Sequence, residues 1–337
     1  KGDCQMTNSK LKSWIIETRW PFLTVTVIPV ILGTIIAWAK TGNFNPVLFS
    51  LTFFGAVCLH LGTNIINDYF DHKSGNDEVN AEFVRPFTGG SRIIQLGLLS
   101  PLEVLIGALV FFVLGISAGL LLTYKCGAGV FVLGVVGVLS GFFYTAPVFN
   151  WASRGFGELL VGLNFGTLVS LGSYYVQTGT FSTEVVFASL PLAILVSAIL
   201  WINEIPDYSA DKKTDKKTLV VRLGLKKAAG YFTYVIMGSF AITLIGIALG
   251  YLPPIAIVVL VALPLAIKSV IIARKYYSKP FDMAPANGYT IMVFNITGAA
   301  LIASYLWLYA GKLYVLPVIL LIVAYTVWSY KTAKVQK

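Results

Sequence analysis

Two Asp-rich stretches stand out in an otherwise apolar chain: "NIINDYFDHKSGND" at residues 64–77 and "NEIPDYSADKKTD" at residues 203–215. Each opens with an Asn and places an Asp four residues later. Residues three or four positions apart share one face of a helix. Each stretch therefore predicts a stripe of oxygen-bearing side chains, formed by Asn64, Asp68 and Asp71 in the first and by Asn203, Asp207 and Asp211 in the second, whose four-residue spacing continues to Asp215.

Oxygen-rich side chains without thiols and almost without imidazoles suit hard cations. Mg²⁺ commonly uses one or two carboxylates together with water and substrate phosphates. Two like charges about 4 Å apart cost on the order of 4 kcal/mol at an effective dielectric near 20, so these carboxylates would repel a bare diphosphate. A bound metal ion reverses that sign, and the pattern predicts Mg²⁺-dependent chemistry on a diphosphate. The alternative is that the acids form a solvated surface.

Basic residues follow both stretches and are candidate contacts for a diphosphate. The first stretch runs on to Asp77 and then to "RPFTGGSR", and the second runs into "DKKTDKKTLVVR". The candidates are Arg85 and Arg92 after the first stretch, and Lys217 and Arg222, with Lys212, Lys213 and Lys216 beside them, after the second. Asp68 and Asp207 are expected to face away from the helix packing, toward a metal ion.

The composition predicts an integral membrane protein, because 57% of the residues are hydrophobic and only 12% are charged. Segments of about 20 apolar residues are long enough to span a bilayer as helices, and none shows the alternation of a membrane barrel. The sequence therefore predicts an all-α, polytopic helical bundle of about ten transmembrane helices. The segments lie near residues 22–40, 46–66, 102–123, 127–147, 156–176, 184–205, 230–250, 254–273, 289–310 and 313–330.

The basic residues follow the orientation rule for membrane proteins. Twenty-one of the 25 Lys and Arg residues fall on the side of the N-terminus and the Asp-rich loops. This distribution predicts that both termini and both loops are cytoplasmic, and it explains the net charge of +10 without a nucleic-acid partner. We expect a cytoplasmic N-terminal segment over 1–21, a single transmembrane domain over 22–330 and a cytoplasmic tail over 331–337.

The repeated Asn and Asp spacing suggests an internal repeat whose two polar loops face each other across a shared cavity. A diphosphate at a membrane surface, with an apolar cavity behind it, indicates a substrate with a lipid tail. "NDYFDHKSGND" with "RPFTGGSR", and "NEIPDYSADKKTDKKTLVVRLG", resemble the two Asp-rich signatures of the UbiA superfamily of intramembrane prenyltransferases. The resemblance runs from Trp20-Pro21 to at least the ninth predicted span.

The resemblance implies about nine helices and a cap that binds an isoprenyl diphosphate through Mg²⁺. It implies that the two stripes hold the metal, that Asp68, Asp71, Asp207 and Asp211 are catalytic, and that Asn64, Asp77, Arg85, Arg92, Asn203, Lys217 and Arg222 bind the donor. Tyr144, in "GFFYTAP", resembles a family tyrosine that would shelter an allylic cation with its ring. The alternative for Tyr144 is a residue of the interfacial aromatic belt.

The implied reaction transfers a polyprenyl group to an electron-rich aromatic acceptor. "DHKSGND", "GGSR" and "TLVVRLG" resemble the branch that prenylates 1,4-dihydroxy-2-naphthoate in menaquinone synthesis. Pro206 and Asp215 depart from that branch, which commonly has Arg and Gly at these positions. Prenylation of 4-hydroxybenzoate or another acceptor is the alternative.

Two other classes compete with this interpretation. A transporter would also contain repeats and carboxylates, but transport sites lie near the bilayer midplane, whereas these acids lie at helix ends. A phosphatidyl-alcohol transferase would need a "DGxxAR" motif, which the sequence lacks. His60, Glu158 and Asn295 lie within apolar segments, where polar side chains commonly hold helices together; Glu158 is nearest to the Asp-rich face.

Overall fold

A computed structural model describes residues 2–309 together with Leu320 and Ala324. Every regular element in this part of the chain is helical, as the composition predicted. The α-helices are α1 Gly2–Glu17, α2 Thr24–Thr41, α3 Pro46–Lys73, α4 Asn76–Val79, α5 Pro101–Cys126, α6 Ala128–Phe142, α7 Gly157–Gly162, α8 Val169–Thr178, α9 Thr183–Lys213, α10 Leu219–Leu223, α11 Leu225–Ala248, α12 Leu263–Tyr276 and α13 Pro280–Tyr309. Short 3₁₀ segments cover Trp20–Leu23, Trp151–Arg154 and Pro254–Ala262, and a π-helical segment, Leu163–Leu168, joins α7 to α8.

Among the described residues, eight helical stretches are long and apolar enough to cross a membrane. They match eight of the first nine predicted segments. The exception is the fourth segment, because α6 is a helix of only 15 residues. The tenth predicted segment, 313–330, and the predicted tail, 331–337, lie outside the described residues apart from Leu320 and Ala324. The part of the chain that the structure describes thus contains eight candidate spans and one shorter apolar helix, α6.

Helices α3 and α9 determine where the Asp-rich stretches lie. They contain 28 and 31 residues, so at 1.5 Å per residue they are roughly 42 and 46 Å long, well beyond the ~30 Å of a hydrocarbon core. The acids occupy the last turns of these helices, and the prediction that both stretches are loops is wrong for residues 67–73 and 204–213. Helix α9 continues through Pro206 without ending. We call this side of the molecule the Asp-rich end.

A glycine allows helices α3 and α5 to pack closely. A Cβ atom added at Gly55 of α3 would lie 3.0 Å from the Cβ of Ala118 on α5, so only a glycine fits this approach without displacement. Small residues serve the same purpose in many membrane bundles. The larger buried core lies on the other side, where α9 packs against α11 and α13 through Ile202, Phe232 and Phe294. Helix α9 thus lies within the larger core, with its Asp-rich turns at one end.

Candidate active site at the Asp-rich end

A cavity of about 130 Å³, which we call the central cavity, lies behind the two Asp-rich turns. Asn64 of α3 and Asn203 of α9 both line it, as do Arg19 and Tyr144. Its deeper wall is apolar and includes Val25, Val161, Phe165, Val196, Ile199 and Leu200. The two stretches therefore face one shared cavity, with polar groups at its mouth and apolar side chains behind them.

Lys216 connects the two stretches directly. Its Nζ lies 3.1 and 3.0 Å from the two carboxylate oxygens of Asp71, and 3.9 Å from Oδ1 of Asp211. Burial lowers the pKa of this ammonium group, but the Asp71 and Asp211 carboxylates more than offset that effect, so the pKa of Lys216 lies well above its ordinary value. Lys216 is therefore a fixed positive charge between α3 and the chain that follows α9.

Lys217, the lysine that the sequence ranked first, does not reach the carboxylates. Its side chain is 53% exposed and pairs with Asp215 at 2.8 Å. Asp215 has a left-handed backbone with φ of 57° and lies just after the end of α9. The chain turns there, so that Lys216 reaches Asp71 and Asp211 while Lys217 lies at the surface.

Asp68 holds the segment that follows the first stretch. Its Oδ2 accepts a hydrogen bond of 2.8 Å from the backbone N–H of Ser91. Its Oδ1 is buried without a hydrogen-bond donor among the described residues, and the Nη1 of Arg19 lies 3.8 Å away. The hydroxyl of Ser91 donates to the buried carboxylate of Glu17. Arg19 and Ser91 are thus site residues that the sequence reasoning did not identify.

Asp207 holds the same segment from the other helix. Its Oδ1 accepts 2.8 Å from the side chain of Asn80, and its Oδ2 accepts 3.2 Å from the N–H of Gly89. Asp211 accepts 2.9 Å from Asn76. Because Asp68 and Asp207 both bind backbone or side-chain donors of the segment 76–91, the expectation that they face away from packing is wrong. These carboxylates also hold in place the segment 76–91, which we call the cap.

The three predicted arginines lie outside the group of carboxylates. Arg92 donates to the backbone oxygen of Asp77, and its Nη1 lies 3.8 Å from the Asp77 carboxylate. Arg222 donates to the backbone oxygens of Lys217 and Ser153, at 2.8 and 3.4 Å. Arg85 is exposed, with its guanidinium carbon 5.8 Å from the centre of the Phe83 ring. Arg92 and Arg222 thus bind backbone oxygens, whereas Arg85 lies beside the Phe83 ring.

Asp77 is buried close to the first stretch. Burial, together with the neighbouring Asp71 and Asp68 carboxylates, raises the pKa of Asp77 to about 9. Its Oδ2 also lies 3.3 Å from Nε2 of Gln95. A carboxyl group with this pKa is mostly protonated near pH 7, so Asp77 adds little negative charge to the site.

The two Asn side chains at the cavity mouth differ in their partners. Oδ1 of Asn203 accepts 2.7 Å from Nδ2 of Asn287, which also donates 3.2 Å to the backbone oxygen of Ile202. The bond to Ile202 fixes the orientation of the Asn287 amide, so Asn203 directs its N–H₂ group away from Asn287. Nδ2 of Asn64 is buried without a partner among the described residues.

Tyr144 follows α6 and lines the central cavity. Burial and the nearby Glu204 raise the pKa of its phenol well above the ordinary value, so Tyr144 is a neutral phenol at neutral pH. Its ring carbon Cε2 lies near Gly157, where an added Cβ would approach it to 3.1 Å. A ring packed in this way keeps a fixed position at the cavity wall.

Of the remaining polar residues singled out in the sequence, His60 and Glu158 make hydrogen bonds, and the Asn295 amide makes none among the described residues. Nδ1 of His60 lies 2.6 Å from Oγ1 of Thr26, although His60 also lines the central cavity. Oε1 of Glu158 accepts 2.9 Å from the N–H of Leu219, at the start of α10. Asn295 is buried on α13.

Comparison with known proteins connects this geometry to a family. The profile of the UbiA prenyltransferase family matches residues 26–291. The chain belongs to this family. It is 30% identical over 257 residues to the 1,4-dihydroxy-2-naphthoate octaprenyltransferase of Bacillus subtilis, covering 75% of this chain and 79% of the relative. It is 26% identical over 298 residues to the 2-carboxy-1,4-naphthoquinone phytyltransferase of Synechocystis sp., covering 88% and 94%.

Solved structures support the same fold. A UbiA homolog from Aeropyrum pernix K1 superimposes with a TM-score of 0.62 at 17% identity, covering 82% of this chain and 96% of that one. A UbiA homolog from Archaeoglobus fulgidus, solved with GPP and Mg²⁺, gives a TM-score of 0.56 at 14% identity, covering 86% and 99%. The sequence prediction of a helical prenyltransferase of the UbiA superfamily is confirmed.

The carboxylates of this prenyltransferase fit a Mg²⁺ ion that shares its ligands with a phosphate. Among the described residues, no three His, Cys, Asp or Glu side chains are close enough together to hold a bare metal ion. Mg²⁺ does not require such a group, because water and phosphate oxygens complete its shell. Oδ1 of Asp68 is buried and lacks a hydrogen-bond donor, so this oxygen can accept a cation. The donor atoms are all oxygens, as a hard cation prefers.

An apolar groove extends the central cavity of this prenyltransferase. It shares His60, Thr63 and Phe165 with the cavity and continues between α3, α5, α6 and α8 for a further volume of about 170 Å³. Glycines line much of its wall, namely Gly55, Gly115, Gly119, Gly134, Gly137, Gly141 and Gly172. The π-helical segment contributes Asn164 and Phe165 to the groove. A long apolar chain could lie there without entering the Asp-rich end.

Proposed function

We propose that this prenyltransferase transfers a polyprenyl group from an isoprenyl diphosphate to 1,4-dihydroxy-2-naphthoate, with Mg²⁺, in menaquinone synthesis. The observation that carries the proposal is the central cavity, which is lined by Asn64 and Asn203 of the two Asp-rich stretches and continues into an apolar groove. Lys216 joins the Asp71 and Asp211 carboxylates of the same two stretches. The distribution of basic residues supports a cytoplasmic Asp-rich end.

The donor would bind with its diphosphate at the Asp-rich end and its tail in the groove. Asp68, Asp71, Asp207 and Asp211 would hold Mg²⁺, which supplies charge neutralisation for the diphosphate oxygens. Lys216 lies beside Asp71 and Asp211 and is the cation best placed to contact the diphosphate directly. The N–H₂ group of Asn203 would donate to a phosphate oxygen, since its own oxygen is held by Asn287.

The reaction begins when the bond between the allylic carbon and the diphosphate oxygen breaks, and the bonding electrons leave with the diphosphate. Lys216 stabilises the negative charge that develops on the leaving group. The aromatic face of Tyr144 shelters the allylic cation. The carboxylated ring carbon of the acceptor then attacks the cation, and loss of CO₂ returns electrons to the ring, giving a demethylmenaquinol.

The acceptor assignment rests on two supports. The motifs "DHKSGND", "GGSR" and "TLVVRLG" resemble the naphthoate branch. The Bacillus subtilis relative is named for transfer to 1,4-dihydroxy-2-naphthoate. A transporter is less favoured, because the carboxylates lie in the last turns of α3 and α9.

A donor-by-acceptor product screen tests the proposal. Purified protein in lipid nanodiscs receives geranyl, farnesyl or longer polyprenyl diphosphates with dihydroxynaphthoate or 4-hydroxybenzoate, with Mg²⁺ or with EDTA. We expect Mg²⁺-dependent prenylation of dihydroxynaphthoate with release of CO₂ and diphosphate. Exclusive prenylation of hydroxybenzoate would contradict the acceptor assignment, and no turnover with any pair would contradict the transfer itself.

A further inference from the structure

A second pocket, which we call the outer pocket, lies beside the central cavity. Ten residues line it: Ile15, Ile16, Arg19, Trp20, Pro21, Phe22, Arg85, Pro86, Gly90 and Ser91. Two of these side chains are guanidinium cations, two are aromatic, and none is acidic. A pocket of this composition suits an anion that carries a flat apolar ring.

The outer pocket is adjacent to the reaction site. Arg19 and Phe22 line both the outer pocket and the central cavity, so these two side chains separate the spaces. The guanidinium of Arg19 lies 5.2 Å from the centre of the Phe22 ring and 3.8 Å from Asp68. The backbone N–H of Ser91, another wall residue, binds Asp68. A molecule in the outer pocket is therefore one layer of side chains away from the Asp-rich end.

Arg85 is the cation in this pocket that has no carboxylate partner. No ion pair among residues 10–309 involves Arg85, whereas Arg19 and Arg92 each lie 3.8 Å from an aspartate. Arg85 is also exposed, and its guanidinium faces the Phe83 ring at 5.8 Å. It is thus available to an incoming anion, and the structure places it at this pocket and away from the carboxylates that would hold the diphosphate.

We propose that the outer pocket binds the aromatic acceptor before transfer, with Arg85 holding the acceptor carboxylate and Trp20 and Phe22 forming the apolar walls beside the ring. This inference rests on the proposed function, because it takes the acceptor to be an aromatic carboxylate. A planar guanidinium can bind a carboxylate through two parallel hydrogen bonds, which a lysine cannot reproduce. The donor and the acceptor would then approach the reaction site by separate routes.

The test measures acceptor binding without prenyl transfer. Calorimetry in nanodiscs without donor and without Mg²⁺ compares Arg85→Ala, Arg85→Lys and the matched control Arg154→Ala. Arg154 is an exposed arginine of the 3₁₀ segment after α6 and lies outside both pockets. Ligands are 1,4-dihydroxy-2-naphthoate and 1,4-dihydroxynaphthalene, which lacks the carboxylate.

We expect Arg85→Ala to weaken naphthoate binding about tenfold, as loss of a charge-assisted pair does, with Arg85→Lys in between and Arg154→Ala unchanged. The analogue without a carboxylate should bind the wild type and Arg85→Ala equally. In turnover, Arg85→Ala should raise the KM for the acceptor about tenfold and leave the KM for the donor and the kcat within twofold.

Three results would overturn the inference. Equal binding of the naphthoate by Arg85→Ala and the wild type would show that the pocket does not hold the carboxylate. A larger effect on geranyl diphosphate binding than on naphthoate binding would assign Arg85 to the donor. If phosphatidylglycerol in the nanodisc competes with the naphthoate only when Arg85 is present, the pocket holds a lipid headgroup and the inference also fails. If the product screen shows hydroxybenzoate to be the acceptor, the same Arg85 dependence measured with hydroxybenzoate separates the pocket from the naphthoate assignment.

Discussion

Replacing Lys216 by Met should weaken both the fold and the reaction, because this side chain is the cation between the two Asp-rich turns. Its Nζ lies 3.0 Å from Asp71 and 3.9 Å from Asp211, and its side chain is only 18% exposed. Met retains most of the volume and removes the charge. The substitution leaves two carboxylates near each other without the positive charge that separates them.

The size of the effect follows from these distances. At an effective dielectric near 20, unit charges 3.0 and 3.9 Å apart attract by roughly 5.5 and 4.3 kcal/mol. Desolvation of the lysine offsets much of this attraction, and removal of one member of a buried pair typically costs about 3–5 kcal/mol. For catalysis, loss of one donor to a developing negative charge typically lowers kcat by about 100- to 1000-fold.

The measurement is thermal unfolding in nanodiscs together with steady-state turnover. Lys216→Met should unfold several degrees below the wild type without Mg²⁺. Mg²⁺ with a thiodiphosphate donor analogue should reduce the difference, since the bound metal ion supplies the missing positive charge. Lys217→Met is the control. The exposed ion pair between Lys217 and Asp215 should contribute less than about 1 kcal/mol to the free energy of unfolding. If Lys217→Met shows the larger loss of turnover, or Lys216→Met shows none, the assignment of Lys216 is refuted.

Three further substitutions test other parts of the site. Asp207→Asn keeps one acceptor oxygen, for Asn80 or for the Gly89 N–H but not for both, so it should lose less stability than Asp207→Ala while losing at least about 100-fold in kcat. Unchanged turnover in Asp207→Asn, measured with Mg²⁺, would remove this residue from the site. Asn287→Leu should free the Asn203 amide and raise the KM for the donor about tenfold with little change in the KM for the acceptor, and equal changes in both would indicate a general loss of structure. Gly134→Leu should reduce kcat/KM for long donors about tenfold more than for geranyl diphosphate. Gly134 lines the groove and an added Cβ there contacts nothing within 4 Å, so the larger side chain projects into the groove. An equal loss for all donors would place the tail elsewhere.

The sequence was sufficient to predict which two regions meet, but not which lysine lies between them. Lys216 and Lys217 are neighbours in "DKKTDKKT", and their surroundings in the sequence are alike. What distinguishes them is the left-handed backbone of Asp215, with φ of 57°, which turns the chain after α9. Helical spacing no longer applies beyond that turn. It therefore predicts which aspartates of α9 share a face, but it cannot predict where Lys216 and Lys217 lie.

Arg19 shows a different limit of the sequence analysis. It lies about fifty residues before Asp68, and no spacing rule connects the two positions. It reaches Asp68 because it also has a left-handed backbone, with φ of 46°, between α1 and the 3₁₀ turn that begins at Trp20. The "TGGS" sequence did contain a signal for the cap, since Gly89 and Gly90 have φ of 76° and 66°, which glycine adopts readily. That backbone directs N–H groups toward Asp68 and Asp207.

These cap contacts are compatible with metal binding, although they use the same carboxylates. An ionised carboxylate has two oxygens and about four acceptor positions. Ser91 uses one oxygen of Asp68 and leaves Oδ1 without a hydrogen bond, so the N–H group fixes the carboxylate without filling it. Asp207 accepts from Asn80, Gly89 and Thr88, which is fewer than the acceptor positions of a carboxylate. The segment 76–91 therefore orients acids from both helices before the substrate arrives, and the free energy of ordering them is spent in folding rather than in the reaction.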